Sequence, residues 1–222
     1  MEKIIHQIWV GPYEMPDLEK ENIRVLKELN PDYTHVLWTD KNLPNLHTKV
    51  KEICEKYTNR KVFAFVADVL RVVLVNQYGG IYADVDWKPH KGFSDLELEN
   101  NTGLIVLHDN YTSGNEFFAC QKETGFIKYI YDELLKDRTG DHTPWWFNHH
   151  LKAYFDIEDN MNYHTEECIQ IGEQFLSKMK DDGVKYLWRH GEFEKVYLEH
   201  IGLHSWCEPN MKNFAEGKIN YR

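Results

Sequence analysis

The sequence predicts an α/β fold, an α/β/α sandwich around a central, mostly parallel sheet, on three observations. Strand and helix patterns follow one another in the N-terminal half as strand, helix, strand, helix, helix, strand, the order of parallel crossover units. The stretch Phe65 to Gln77 is apolar almost all the way round, so it reads as a helix buried on most sides. Gly79-Gly80 then stops that helix, because glycine accepts the left-handed backbone that closes helices, and Ile81 to Asp86 follows with strict apolar/polar alternation.

Ile4 to Val10 is β-rich and ends at Gly11-Pro12, a first strand with a loop at its C-terminal end. Pro16-Asp17 opens a charged scaffold helix to about Leu29, with Leu18, Ile23, Leu26 and Leu29 as its apolar positions. Asn30-Pro31-Asp32 turns the chain into the strand Thr34 to Trp38. Asp40, in the loop beyond, either caps the next segment or approaches a ligand. His47 to Tyr57 reads as a surface helix. Trp87 to Asn101, with Pro89, Gly92 and Ser94, reads as a loop holding a short acidic helix at most.

Gly103 to His108 is a core strand, Asp109 to Asn115 a loop, Glu116 to Cys120 a strand, and Thr124 to Lys136 a helix with Phe126, Ile130 and Leu134 on one side. The aromatic, histidine-rich segment Arg138 to His150 is interrupted by Gly140 and Pro144. Trp145 or Trp146 offers a ring on which a ligand could stack, with at least one of the two assigned to the core. The neighbouring His149 and His150 point in different directions on any regular element, which disfavours a joint metal site. Asp156 to Asn162 is an acidic turn, Tyr163 to Ile171 irregular or strand, and Glu173 to Lys180 a helix. Val184 to Trp188 and Lys195 to Ile201 are the last strands. One domain, 1–222, is expected, with 208–222 a loosely packed polar arm.

The formal charge of −10 and the lack of a basic stripe exclude a nucleic-acid surface. A phosphate-bearing substrate would therefore need a local cation or arginine. Cys54, Cys120, Cys168 and Cys207 form no C-x-x-C pair, so reduced thiols in a cytoplasmic protein are expected. The N-terminus lacks a signal-peptide cleavage pattern. No run approaches the ~18 to 20 apolar residues of a membrane span, leaving at most peripheral membrane contact.

The chemistry concentrates between Asp68 and Asp86. Asp68 and Arg71 lie at i and i+3 of the buried helix and can pair. The alternation after Gly80 puts Tyr82, Asp84 and Asp86 on one face of a strand. Same-side carboxylates two positions apart lie about 6.5 to 7 Å apart at Cα. Their repulsion at a buried strand end needs compensation, which a divalent cation with oxygen ligands supplies. Pro89 keeps the ladder short, so the pair sits at a strand end, where open α/β sheets bind ligands.

The arrangement ADVLR, eight residues, GGIYADVD resembles the DXD glycosyltransferases of the family containing the yeast-type initiating α-1,6-mannosyltransferase, and is similar to the glucosylating domain of large clostridial toxins. The resemblance implies a GT-A-like fold. It also implies a metal-dependent, retaining transfer of a hexose from a UDP- or GDP-sugar to a glycan or other hydroxyl acceptor. It assigns Trp9 as a platform for the donor base, Asp68 and Arg71 to hydroxyls of the donor sugar, and Asn115 to a sugar or acceptor contact. Asp84 and Asp86 fall to the metal, Mn²⁺ with Mg²⁺ as the substitute, and Asp84 also to the ribose. In the C-terminal segment EHIGLHSWCEP, His200 completes the metal shell, with His204 as the runner-up, and Ser205-Trp206 closes over the diphosphate. Thr139-Gly140-Asp141 departs from the T-G-P of relatives on the acceptor side. Tyr82 shares the aspartates' face and is expected to line the donor pocket.

Retention names no enzymic base; an inverting enzyme would need one within hydrogen-bond reach of the acceptor. Two other classes compete. A metal-dependent phosphohydrolase would carry its D-x-D after the first strand. A non-catalytic carbohydrate-binding protein would bind sugar without nucleotide.

Overall fold

The computed structural model describes residues 1–108, 111–136, 142–157 and 166–200. The N-terminal strands and helices follow the expected order, with one strand added, β4. They are β1 (Ile4–Ile8), α1 (Asp17–Leu29), β2 (Thr34–Trp38), α2 (Thr48–Asn59), α3 (Phe63–Tyr78), β3 (Gly80–Ala83), β4 (Trp87–Pro89) and β5 (Gly103–Leu107). Then come β6 (Ser113–Cys120), α4 (Gly125–Lys136), α5 (Pro144–Tyr154), α6 (Glu166–Asp181), β7 (Val184–Trp188) and β8 (Leu198–His200). The main sheet runs β2-β1-β3-β6-β5-β7, and β4 pairs with β8 in a separate ribbon. Only β6 runs against its neighbours β3 and β5; the other pairings in the main sheet are parallel. The expected mostly parallel α/β sandwich is therefore the observed one.

The period-2 alternation of the strands divides two cores between the faces of the sheet. Tyr82, Ile105, Leu107 and Phe118 face the side covered by α2 to α6. Ile5, Ile81, Ala83, Leu104, Val106 and Phe117 face the other, with Leu26 of α1, Trp87 and Phe93. Helix α3 is the spine of the first core: Val66, Val69, Leu70, Val72, Val73, Leu74 and Val75 are all buried. At about 1.5 to 3 kcal/mol for each such side chain, this burial outweighs the modest helix propensity of so many β-branched residues. Gly79 ends the helix at φ +67°, and a Cβ on Gly80, at φ +96°, would lie 2.5 Å from the carbonyl oxygen of Ile4. A side chain at Gly80 would thus force β1 and β3 apart.

Several sequence expectations are corrected. The strand after Gly80 stops at Ala83, with Asp84 just past its end and Val85-Asp86 in a turn. The last ladder bond runs from the Asp84 N–H to the Glu116 carbonyl at 2.9 Å. The chain then turns away because Trp87–Pro89 has its own partner, β8, where a loop had been expected. Strand β6 starts at Ser113, so Asn115 is a strand residue and not a turn asparagine.

In α1, Leu18 and Leu29 are exposed while Glu19, Asn22 and Leu26 turn inward. Asn22 donates to the Val85 carbonyl at 3.4 Å, so this helix braces the turn carrying Asp86 and is more than scaffold. Pro144 does not interrupt the histidine-rich segment: it occupies the first turn of α5, where its missing N–H has no bond to lose. Helix α6 begins at Glu166, earlier than expected, because Ile171, Phe175 and Met179 recur at helical spacing and pack on the core. Glu194–Val196 is a helical turn, and strand structure resumes only at Leu198.

Candidate active site

A cavity of about 670 Å³ opens where the parallel strands end. Ile8, Trp9 and Val10 reach it from β1, Asp84 and Asp86 from β3, His108 from β5, and Arg189 with His190 from β7. Antiparallel β6 delivers its first half there, Ser113 to Glu116. This is the position at which open α/β sheets bind ligands.

The polar floor is built on Arg71. Its Nη1 donates to the Asn115 carbonyl at 2.8 Å and to Asn115 Oδ1 at 2.7 Å. Its Nη2 lies 3.2 Å from Asp68 Oδ1 and 3.0 Å from Asp84 Oδ1. Asn115 Nδ2 closes the ring by donating to Asp68 Oδ1 at 2.9 Å. The predicted Asp68/Arg71 pair therefore exists, and Asn115 is the residue that fixes both.

Tyr82 departs from its expected place. It is 1% exposed and lies outside the cavity lining. Its hydroxyl donates to Asp84, and its ring carries the Arg71 guanidinium 4.6 Å from the centroid. Tyr82 thus orients Asp84 and Arg71 from beneath.

Burial raises the Asp68 carboxyl to about 6, against the pull of Arg71 and the Asn115 hydrogen bond. Burial pushes Asp84 further, to about 7; Arg71 opposes the rise and the neighbouring Asp86 adds to it. Asp86 is itself buried, and it faces the same cavity. Two carboxylates repelling each other in a water-poor pocket are a donor set that fits a hard divalent cation. Among the described residues no cluster of three or more His, Cys, Asp or Glu can hold a metal. A bound ion would thus depend on further ligands. The backbone of His200 lies opposite Trp87 in the β4–β8 ladder, across from the residue that follows Asp86. His204, Ser205 and Trp206 lie outside the described residues.

Trp9 lines the cavity, and its Nε1 donates to the Tyr13 carbonyl at 2.8 Å. Asp40 neither caps α2 nor reaches the cavity lining: its carboxylate accepts from the Gly11 N–H at 2.9 Å and ties together the loops after β1 and β2. His47 caps α2 instead, accepting from the Lys49 N–H at 3.1 Å.

Sequence reasoning missed the opposite wall. Arg189 lies 2.6 Å from Glu116 Oε1 and donates to Glu194 at 2.8 Å, and His108 stands 3.6 Å from Glu116. Burial opposes the charge on Glu116, but His108 and the Arg189 cation hold its carboxyl at about 2. Arg189 immediately follows β7, and that position was the available signal.

The fold is that of GT-A-type glycosyltransferase domains, and the resemblance drawn from the motif is borne out by what the chain is similar to. Residues 16–103 match the family model described as "Glycosyltransferase sugar-binding region containing DXD motif". Over 85 residues the chain is 35% identical to inositol phosphoceramide mannosyltransferase 3 of Schizosaccharomyces pombe, a stretch covering 38% of this chain and 24% of the relative. The chain thus spans about a quarter of the length of that curated relative. Among solved structures it resembles the PaToxG glycosyltransferase, with TM-score 0.58 and 19% identity over 82% of this chain and 78% of that one. It also resembles the catalytic domain of alpha-toxin from Clostridium novyi, with TM-score 0.50 and 10% identity over 80% and 68% of the two chains.

Proposed function

We propose that this chain is a metal-dependent, retaining glycosyltransferase that moves a hexose from a UDP- or GDP-sugar to a hydroxyl of a glycan or similar acceptor. The observation that carries the reading is the Asp68–Arg71–Asn115–Asp84 ring on the floor of a cavity that Asp86 also faces. In this reading Asp68 and Arg71 hold donor-sugar hydroxyls, with Asn115 keeping both side chains in place. The Trp9 indole is the platform for the base. Asp84 and Asp86 hold the cation, with His200 as a third ligand and Ser205-Trp206 closing over the diphosphate. Mn²⁺, with Mg²⁺ as substitute, would neutralise the charge that develops on the leaving diphosphate.

The chain's own residues supply orientation and a partly desolvated pocket. Arg71 adds a fixed positive charge beside the reacting sugar, where a preorganised group stabilises charge without reorganising. Burial opposes the charge on Arg71, yet Asp84, Tyr82 and Asp68 hold its pKa above the ordinary value, so it stays cationic. Among the described residues no helix is long and apolar enough to cross a membrane, and Cys54 and Cys120 are free thiols. The proposed setting is cytoplasmic, with at most peripheral membrane contact.

Release of nucleoside diphosphate from a panel of UDP- and GDP-sugars, with Mn²⁺ or with EDTA, tests the reading without an acceptor. Metal-dependent release from one donor is expected. Sugar binding with neither release nor nucleotide binding across the panel points instead to a carbohydrate-binding protein.

A further inference from the structure

Of the described aromatic residues lining this cavity, the most exposed to solvent is not one of those assigned to the donor. Trp145 lines the cavity and is 69% exposed, yet it stands on a helix end anchored from two directions. On one side, Tyr57 of α2 accepts from the His142 N–H at 2.9 Å and bonds the His142 ring at 2.9 Å. On the other, Asn148 of α5 accepts from the Ser113 N–H at 2.9 Å, which ties the helix to the start of β6. Thr143 caps the first turn by accepting from the Trp146 N–H. Trp146 packs against the core, with its ring 5.0 Å from His142 and 4.4 Å from His150. The two tryptophans therefore divide: one anchors, and the other is held at the cavity edge.

Leaving a large indole in water forgoes the stabilisation that burying a large apolar side chain contributes. A flexible loop would let it fold away; the bonds through His142 and Asn148 prevent that. The geometry points to Trp145 as the platform for a pyranose ring of the acceptor, which makes the acceptor a glycoside. A pyranose offers an apolar C–H face to an aromatic ring and hydroxyls around its edge. The same cavity is also lined by Ser113, Glu116 and His108, polar groups of the kind that such an edge bonds. An acyl chain or an apolar peptide side chain would instead strip water from the Glu116–Arg189 ion pair and give it no new hydrogen bonds. The inference rests on the proposed transfer only in calling the bound sugar an acceptor; binding to Trp145 can be read without turnover.

The test is ¹⁵N-indole NMR of the full chain with UDP and Mg²⁺, which is diamagnetic, with the Trp145 resonance assigned from the spectrum of Trp145→Phe. Methyl α-D-mannopyranoside, methyl β-D-glucopyranoside and methyl β-D-galactopyranoside are titrated in turn, with octanol and tyrosinamide as competitors of other chemistry. At least one glycoside is expected to move the Trp145 resonance saturably. Its affinity should fall about tenfold or more in Trp145→Ala and largely recover in Trp145→Phe. Because the side chain is mostly exposed, its removal leaves no core cavity. The inference is overturned if the glycosides leave Trp145 unmoved, if only octanol or tyrosinamide moves it, or if Trp145→Ala binds the glycoside as tightly as the native chain. Failure of the transfer reading itself would show separately, as a lack of donor release.

Discussion

Replacing Arg71 by methionine removes the cation at the centre of the site while keeping much of the side-chain volume. In the native chain that guanidinium lies within 3.2 Å of both Asp68 and Asp84 and binds Asn115 through two acceptors. Arg71 and Asp68 are nearly inaccessible, with side chains 6% and 8% exposed. Breaking a buried ion pair by deleting one partner leaves an uncompensated charge and costs about 3 to 5 kcal/mol. At about 2 to 4 °C per kcal/mol for a domain of this size, Tm should fall by roughly 6 to 20 °C. Differential scanning fluorimetry and urea unfolding at neutral pH read the effect. The loss should shrink when Asp68→Asn is added, since one stranded carboxylate is then gone. A loss below about 1 kcal/mol for Arg71→Met, or a double variant no more stable than the single one, would refute the claim that Arg71 stabilises the fold by pairing with these buried carboxyls.

Acidification should weaken the fold through His6, whose Nδ1 accepts from Trp38 Nε1 at 3.0 Å and whose Nε2 therefore donates to the Gly79 carbonyl at 2.8 Å. Burial lowers its pKa from 6.5 to about 4 despite the Gly79 bond. The folded state therefore resists a proton that the unfolded chain accepts. The stability is complete above pH 6.5 and is lost as pH falls toward 4, by about 3 kcal/mol in all; urea midpoints against pH should be flatter for His6→Gln, and an unchanged slope would count against the assignment. Gly80→Ala should cost at least about 2 kcal/mol in urea unfolding, because φ +96° disfavours a side chain and the added Cβ meets the Ile4 carbonyl at 2.5 Å. A neutral substitution there would mean that β1 and β3 can separate freely.

Strands β2 and β7 were legible to the residue, since each is a short β-rich run fenced by turn signals. Helix α3 was legible within two residues at its start because its apolar character leaves no alternative to burial. In the β4–β8 ribbon, β8 lies within the strand expected at Lys195 to Ile201, but β4 and the pairing were not legible: a three-residue strand carries no periodicity, and the pairing joins residues more than a hundred positions apart. Within the site, spacing paired Asp68 with Arg71 and Asp84 with Asp86, and the family resemblance joined the two pairs. Spacing could not show that Tyr82 lies under Arg71, because the i, i+2 rule gives a shared face and not a depth. The wall of His108, Glu116 and Arg189 comes from three strand ends that only the sheet order brings together. The choice between Trp145 and Trp146 turned on the helix start at Pro144, which rotates adjacent side chains about 100° apart.

The most direct measurement of the central claim is donor binding and release by the native chain and by Asp86→Asn, each with Mn²⁺ and with EDTA, on whichever sugar nucleotide the native chain accepts. If Asp84 and Asp86 hold the cation that receives the diphosphate charge, release by the native chain should depend on Mn²⁺. Asp86→Asn should then lose roughly a hundredfold or more of that release, about 2.7 kcal/mol of transition-state stabilisation, while its urea midpoint stays near that of the native chain. Release that proceeds equally with EDTA, or that survives in Asp86→Asn, would contradict the metal-bound reading of this carboxylate pair.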